Sequence, residues 1–503
     1  MTNIDCHFGQ QLGVRTLALL LGTMLAYHRA AAFETPTIAN ETAAQAAARH
    51  ERVAARRAKV HIIGHRGASE FAHENTLEAY RASFELGADG NEIDIRATKD
   101  GVLVCFHDDM LDRRLIAYGD VSDYTWEELQ KFPFREPDPF GNQCRIPTLI
   151  EVLVLHRQHG GLIHLDIKRP NLDQAISQLL DRFDMWDHVA YCNAETGGVI
   201  LKDPRLALSR YKGGLYLDHS EVFPEAIAAA LAKPGEGLIV DDPRGAVVAL
   251  GRKLGPVSTT PVALRTVAPL QEGAHHGEAE LIATLRDATD WNSVAQSDDA
   301  RLAAGRRITA RARAADQLWE IKSASAEAFA ALEERVRERS LHKDWLHHGV
   351  DGACALRSLI LLKAPNATDL ARFALWRDDP ALSSVADPRF ANPRAWTDFR
   401  VKMVAFPALA HLPGASTQQL CRDYLSLDDE AARKLGPTQF EEAGRALLAV
   451  SPTTETALEL MKHRLQVVRG RAILDCLAHG HEPWARSALE SGAKPALAYL
   501  AVP

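Results

Sequence analysis

The hydrophobic positions fall first into three short runs rich in Val and Ile, each ending on or containing charged residues. They read Val-His-Ile-Ile-Gly at 60–64, Asn-Glu-Ile-Asp-Ile-Arg at 91–96 and Val-Leu-Val-Cys-Phe at 102–106, lengths and compositions that suit strands. Between the first two, Leu77, Phe84 and Leu86 supply the apolar positions of a helix. Asn75 is positioned to cap it, with Glu78 three residues on, and Gly87 to stop it. Strand, helix, strand, turn, strand opens a parallel α/β sheet or barrel. Capping boxes at Thr125/Glu128 and Thr148/Glu151 predict two further helices. The run at 162–168 predicts the fourth strand, and 189–192 and 206–209 the next two. No run between Leu215 and Gly237 supplies the seventh strand of an eight-stranded barrel, so closure would be irregular.

The pattern changes beyond Gly255. After a Pro/Thr/Ser stretch come Ala-, Leu- and Arg-rich segments with helical spacing, among them 326–337, 351–362, 440–448 and 466–477. Their phrasing is similar to HEAT-type repeats, in which helix pairs stack because none buries its apolar face alone. An ordinary all-helical domain is the alternative. At the other end, 17–27 is an apolar run shorter than the about 20 residues that span a bilayer. It suits the core of a signal peptide cleaved after Ala32, and an uncleaved anchor is the alternative. The expected organisation is a signal peptide (1–32), an Ala/Arg-rich lead-in with a solvated charged face (33–58), an α/β TIM (β/α)8-type barrel (59–255), a linker (256–275) and an all-α HEAT-like domain (276–503). The expected location is periplasmic or secreted, or membrane-anchored if the leader is retained.

Strand alternation gives the runs chemical meaning. Residues two apart share a face, so Glu92 and Asp94 project together while Ile93 and Ile95 face the covering helices. Adjacent carboxylates repel unless a positive group lies between them, and a hard divalent cation is one solution; an ion pair or a solvated pair of acids is the other. His164, Asp166 and Lys168 share a face in the same way. In such folds the ends of the strands carry the active site, and His65 and His107 stand at two of them.

These residues carry a family resemblance. His65-Arg66-Gly67, Glu74-Asn75-Thr76, Glu92-Ile93-Asp94, Thr98-Lys99-Asp100-Gly101, His107-Asp108, Leu111-Asp112-Arg113, Ile146-Pro147-Thr148-Leu149 and Asp166-Ile167-Lys168 occur in the order found in glycerophosphodiester phosphodiesterases. That family is a TIM-barrel relative of the phosphatidylinositol-specific phospholipases C. The resemblance implies one divalent ion, Ca²⁺ or Mg²⁺, held by Glu92, Asp94 and Asp166. It also implies His65 and His107 as acid and base, with Arg66, Lys168, Glu74 and Asn75 lining the substrate site. Two features depart from the pattern. Asp166 stands where the family has Glu, one methylene longer, and the Trp-Thr strand expected before the family's final strand, which 237–243 resemble, is not found.

Composition narrows the field little further. A net charge of -8 gives no reason to expect a nucleic-acid partner, and seven cysteines without a CxxC pair argue against metal fingers. Cys105 and Cys476, inside apolar runs, read as buried free thiols. The expected activity is metal-dependent cleavage of a small or lipid-derived glycerophosphodiester to glycerol 3-phosphate and an alcohol. The alternatives are a lysophospholipase D-like or phospholipase-like activity, and a non-catalytic scaffold with a degenerate barrel. The helical domain is a candidate surface for a protein partner.

Overall fold

The computed structural model describes residues 41–484 except 70, 109, 136–137, 139–142, 194–201, 209–214, 217–223, 233–236, 242, 256–275, 288–297, 338–349, 377–398, 430–431, 433–436, 479–480 and 482. The expected signal peptide and linker lie outside the described residues. No helix among them is long and apolar enough to cross a membrane.

The first helix, α1 (Ala43–Arg57), starts at a Thr42/Gln45 capping box. It does not present a wholly solvated charged face: Arg49 and Val53 are buried. Arg49 donates to the Asp184 carbonyl at 2.9 Å and reaches Glu41 at 3.1 Å. Arg56 donates to the carbonyl of Asp89 at 2.9 Å and Arg57 to that of Asp187 at 2.7 Å. Asp89 directly precedes the strand that starts at Gly90 and Asp187 lies two residues before the one that starts at Val189, so α1 covers the amino-terminal ends of the sheet.

The sheet comprises β1 (His61–Gly64), β2 (Gly90–Ala97), β3 (Leu103–Cys105), β4 (Leu162–Ile167), β5 (Val189–Asn193), β6 (Leu215–Tyr216) and β7 (Gly237–Val240). Its order is β5-β4-β2-β1-β7-β6, all parallel, with β3 antiparallel against the end of β2. The register sets Glu92 opposite His164 and Asp94 opposite Asp166. Helices α2 (Leu77–Leu86), α3 (Leu149–His159) and α4 (Asp173–Phe183) follow. Tyr80, Val152, Leu153 and Leu180 pack on Ile93, Ile95, Ile163 and Leu165, the strand faces that alternation assigned to the core. Between β3 and α3, residues 106–135 form an insertion around Phe106, Leu111, Leu115, Trp126 and Leu129.

Three local expectations are corrected. The cap of α2 is Thr76, whose side chain accepts from the Ala79 amide; Asn75 instead has φ 57° and is bonded elsewhere. Of the run at 206–209, the described residues 206–208 are not a strand: Pro204–Leu208 is a short helix, with Pro at its first position, where the missing N–H costs nothing. A strand does stand at the start of the stretch where none was read: β6, the two residues Leu215–Tyr216, pairs with β7.

From Glu278 onward all described elements are helical. Helices α5 (Asp298–Glu320), α6 (Val350–Leu361), α7 (Phe399–Leu409), α8 (Ala415–Leu425), α9 (Pro437–Val450) and α10 (Gln466–Ala478) share one apolar core running from Leu281 through Leu318, Leu356, Phe406, Tyr424 and Phe440 to Cys476. The six described cysteines are free, Cys105 and Cys476 buried among them as expected.

Two buried histidines under the sheet make the fold acid-sensitive. His156 Nδ1 donates to the Val152 carbonyl at 2.8 Å, and Nε2 lies 3.3 Å from the Asn91 amide nitrogen. His188 Nδ1 donates to the Gly161 carbonyl at 2.7 Å, and Nε2 faces Arg49 at 3.1 Å. Both rings are thus satisfied as neutral tautomers. Burial pushes His156 down to about 3 and His188 down to about 4. Unfolded histidine titrates near 6.5, so below that pH the unfolded chain binds protons that the folded chain refuses. Their contribution is fully present above pH 6.5 and falls as pH drops toward the folded values, by up to about 1.4 kcal/mol per group per pH unit. Thermal melts should therefore show Tm falling between pH 7 and pH 5; an unchanged Tm across that window would contradict the neutral assignment.

Candidate active site

The polar residues converge at the carboxyl-terminal rim. Alternation on β2 points Glu92, Asp94 and Arg96 to one face; Asp166 comes from β4 beside them, and Lys168 lies just beyond that strand's end. His65 follows β1, His107 follows β3 and Asp241 follows β7. One oxygen each of Glu92, Asp94 and Asp166 lies within 4.8 Å of the others, and all three residues are buried. The shorter Asp166 thus reaches the cluster.

Each acid has cationic or polar neighbours. Lys168 Nζ lies 2.9 Å from Asp94 Oδ1 and 2.5 Å from Asp166 Oδ2. Arg66 Nε is 3.4 Å from Asp94 Oδ2, to which Asn75 Nδ2 donates at 2.7 Å. Tyr80 donates to Asn75 Oδ1 at 2.7 Å, fixing that amide. Arg66 and Asn75 both have positive φ, 61° and 57°, a conformation that costs energy in residues with side chains and concentrates at functional sites.

The two histidines sit in opposite environments. His65 Nδ1 is 2.5 Å from Asp241 Oδ1, and Nε2 is 3.1 Å from Glu92 Oε2. Burial disfavours its charge, but Glu92 and Asp241 outweigh burial and lift His65 up to about 9. His107 Nδ1 is 2.8 Å from Asp108 Oδ1. Burial, with Arg66 and Lys168 nearby, pulls His107 down to about 4 despite Asp94 and Asp108. Burial also pushes Glu92 up to about 7. Asp94 is held well below the usual carboxylate range: burial opposes its charge, but Lys168, His107 and Arg66 prevail.

The donor set fits a hard cation. Asp166 Oδ1 is buried without a hydrogen-bond partner, while Glu92 Oε2 and Asp94 Oδ1 face the cationic groups of His65 at 3.1 Å and Lys168 at 2.9 Å. Buried unsatisfied carboxylate oxygens are costly, and three converging oxygen donors are what Ca²⁺ or Mg²⁺ takes.

All nine residues singled out in the sequence therefore meet at one rim or line it. Glu74 does so through Arg66, 3.4 Å from its Nη1. Sequence reasoning missed several partners. Asp241 and Asp108 each had a signal, a carboxylate directly after a strand or directly after His107. Arg96 had one too, through its alternation with Glu92 and Asp94; its Nη2 donates to the His107 carbonyl at 2.6 Å.

These groups gather at one rim of the α/β sheet, the carboxyl-terminal end where such folds carry their active sites. Comparison supplies the class. Residues 65–198 match the Glycerophosphoryl diester phosphodiesterase family. A glycerophosphodiester phosphodiesterase of Caldanaerobacter subterraneus subsp. tengcongensis is 36% identical over 138 residues, 26% of this chain and 56% of its own. YhdW of Bacillus subtilis (strain 168), named provisionally for the same activity, is 30% identical over 185 residues, 36% of this chain and 69% of its own. A glycerophosphodiester phosphodiesterase structure from Agrobacterium tumefaciens str. C58 aligns at 16% identity and a TM-score of 0.29, over 37% of this chain and 97% of its own. The chain belongs to the glycerophosphodiester phosphodiesterase family. It spans little more than half the length of the first of these relatives, and its helical half lies outside the family match.

Proposed function

We propose that the protein hydrolyses glycerophosphodiesters to glycerol 3-phosphate and an alcohol, using one divalent ion. The reading is carried by one observation: Glu92, Asp94 and Asp166 each bring an oxygen within 4.8 Å of the others in a buried place bordered by His65, whose Nε2 is 3.1 Å from Glu92. A phosphodiester is anionic and slow to break, so its site must neutralise charge, activate a nucleophile and protonate the leaving oxygen. Glu92, Asp94 and Asp166 would hold the ion, Ca²⁺ or Mg²⁺, which supplies Lewis-acid polarisation of phosphate oxygens when bound. Arg66 offers a planar fork and Lys168 a point charge to the same phosphate. His65 and His107 serve as acid and base, each ring oriented by a carboxylate on Nδ1, Asp241 and Asp108 respectively. Asn75 and Glu74 fix Asp94 and Arg66.

The substrate is a small or lipid-derived phosphodiester. We also propose export through the 1–32 segment, closure of the sheet into a (β/α)8-type barrel over 59–255, and a HEAT-like stacking of the helices in 276–503. The test is a purified-protein assay on glycerophosphocholine with Ca²⁺ or Mg²⁺. Release of glycerol 3-phosphate is expected, and EDTA is expected to abolish it until the metal is restored. Turnover that survives chelation would reject the metal-dependent mechanism, and no turnover with either ion would favour a scaffold.

A further inference from the structure

The helical half touches the insertion through one buried carboxylate. Asp316 on α5 is 1% exposed. It accepts from Tyr118 Oη at 2.6 Å and from Arg357 Nη2 at 2.5 Å, and lies 3.3 Å from Arg135 Nη1. Tyr118 and Arg135 belong to the insertion, Arg357 to α6. Burial disfavours the charge of Asp316, but Arg357 and Arg135 hold its carboxyl below the usual range.

Arg135 in turn ties down the short 3-10 helix Leu111–Arg113 and its C-cap Arg114. Its Nε donates to the Asp112 carbonyl at 2.9 Å, and its amide to the Arg114 carbonyl at 2.8 Å. Leu115 and Phe134 bridge antiparallel next to these bonds. Arg114, so fixed, puts its guanidinium on Glu74 Oε2, while Glu74 Oε1 holds Arg66. His73, the neighbour of Glu74, stacks on Phe134 with centroids 4.0 Å apart. A continuous path thus runs Asp316, Arg135, the 112–114 backbone, Arg114, Glu74, Arg66, and ends on Asp94.

We propose that the helical domain is a positioning element of the active site: Asp316 anchors the insertion so that Arg114 holds Glu74, and Glu74 presents Arg66 to the substrate phosphate. Arg114 and Asp316 are positioning residues that touch no substrate. Arg114→Ala removes the guanidinium on Glu74 Oε2, so the Glu74 carboxylate is no longer held in place against Arg66. The inference rests on the proposed function for Arg66, and the experiment has an arm free of that assumption.

Kinetics with glycerophosphocholine are compared for wild type, Arg114→Ala, Asp316→Asn and the double variant. Each single change is expected to raise KM about tenfold, the scale of one charged hydrogen bond, with kcat little altered. The double variant is expected to match the worse single variant, because both changes act on one path. Arg114→Lys should restore most of the loss. Asp475→Asn, which breaks a buried pair with Arg471 on α10, should lower Tm without moving KM. Independent effects in the cycle, multiplying to about a hundredfold, or an unchanged KM, would overturn the path. Arg135→Lys replaces Asp316→Asn if the latter does not fold, since lysine cannot hold Asp112 and Asp316 together. Hydrogen exchange without substrate supplies the second arm: peptides covering 65–76 should exchange faster in Asp316→Asn, and exchange confined to the insertion would overturn the proposal. If wild type fails to turn over, the proposed function falls and exchange alone decides the path.

Discussion

His65→Ala is expected to lower kcat/KM for glycerophosphocholine by about 10³-fold, the middle of the range for a positioned acid or base. The size follows from how completely the ring is fixed. Asp241 holds Nδ1 at 2.5 Å, so Nε2 has a single orientation, toward Glu92 and the carboxylate cluster. Alanine offers no proton and leaves no space that water would fill with the same alignment. The three acids remain, Glu92 losing only its ion pair with His65, so Mg²⁺ or Ca²⁺ binding followed by calorimetry should persist in the variant, which separates loss of proton transfer from loss of the ion. Asp241→Asn should cost less, about ten- to a hundredfold, since an orienting partner is removed rather than the ring it orients. Retention of about a tenth or more of wild-type kcat/KM by His65→Ala would remove the histidine from the chemistry. An Asp241→Asn variant as impaired as His65→Ala would mean that the pair works as one unit.

The sequence displayed the centre of the site better than its rim, because the central signals are local. Glu92 and Asp94 are two apart on one strand, Asp166 and Lys168 two apart at the end of another, and alternation puts each pair on one face. His65 and Asp241 are 176 residues apart, and only the pairing of β1 with β7 brings them together. Asn75 and Thr76 are both good caps; the choice fell to Thr76 because Asn75 is bonded to Asp94, a tertiary contact no local rule contains. The run at 206–209 is too short for periodicity to separate strand from helix, and Pro204 decided it. β6, at two residues, is below the length at which any pattern can be read. Arg49 looked like part of a solvated charge run, yet Glu41 and Asp184 satisfy it in a buried place. The path through Arg135 to Asp316 had no sequence signal, since single charged residues on an insertion and a distant helix look like ordinary surface.

The backbone register that aligns the acids depends on a glycine. Gly90 begins β2 opposite Leu162 of β4, and a Cβ added there would lie 2.2 Å from the Leu162 carbonyl oxygen and 2.6 Å from its carbon. Those are backbone atoms of a neighbouring strand, so no rotamer change relieves the clash and the strands themselves must part. Gly90→Ala is therefore expected to destabilise the protein by about 3 kcal/mol or more, at the upper end for overpacking. The displacement bears on function because the same register carries Glu92 beside His164 and Asp94 beside Asp166. Separating β2 from β4 moves two acids of the cluster away from the third, so divalent-ion affinity should fall together with stability. Denaturant unfolding and calorimetric titration of Mg²⁺ or Ca²⁺ on the same samples test both. A variant that loses stability but binds the ion with wild-type affinity would show that the acids are held by Lys168 and Asn75 rather than by strand register. If stability is also unchanged, the close approach of Gly90 to Leu162 is itself wrong.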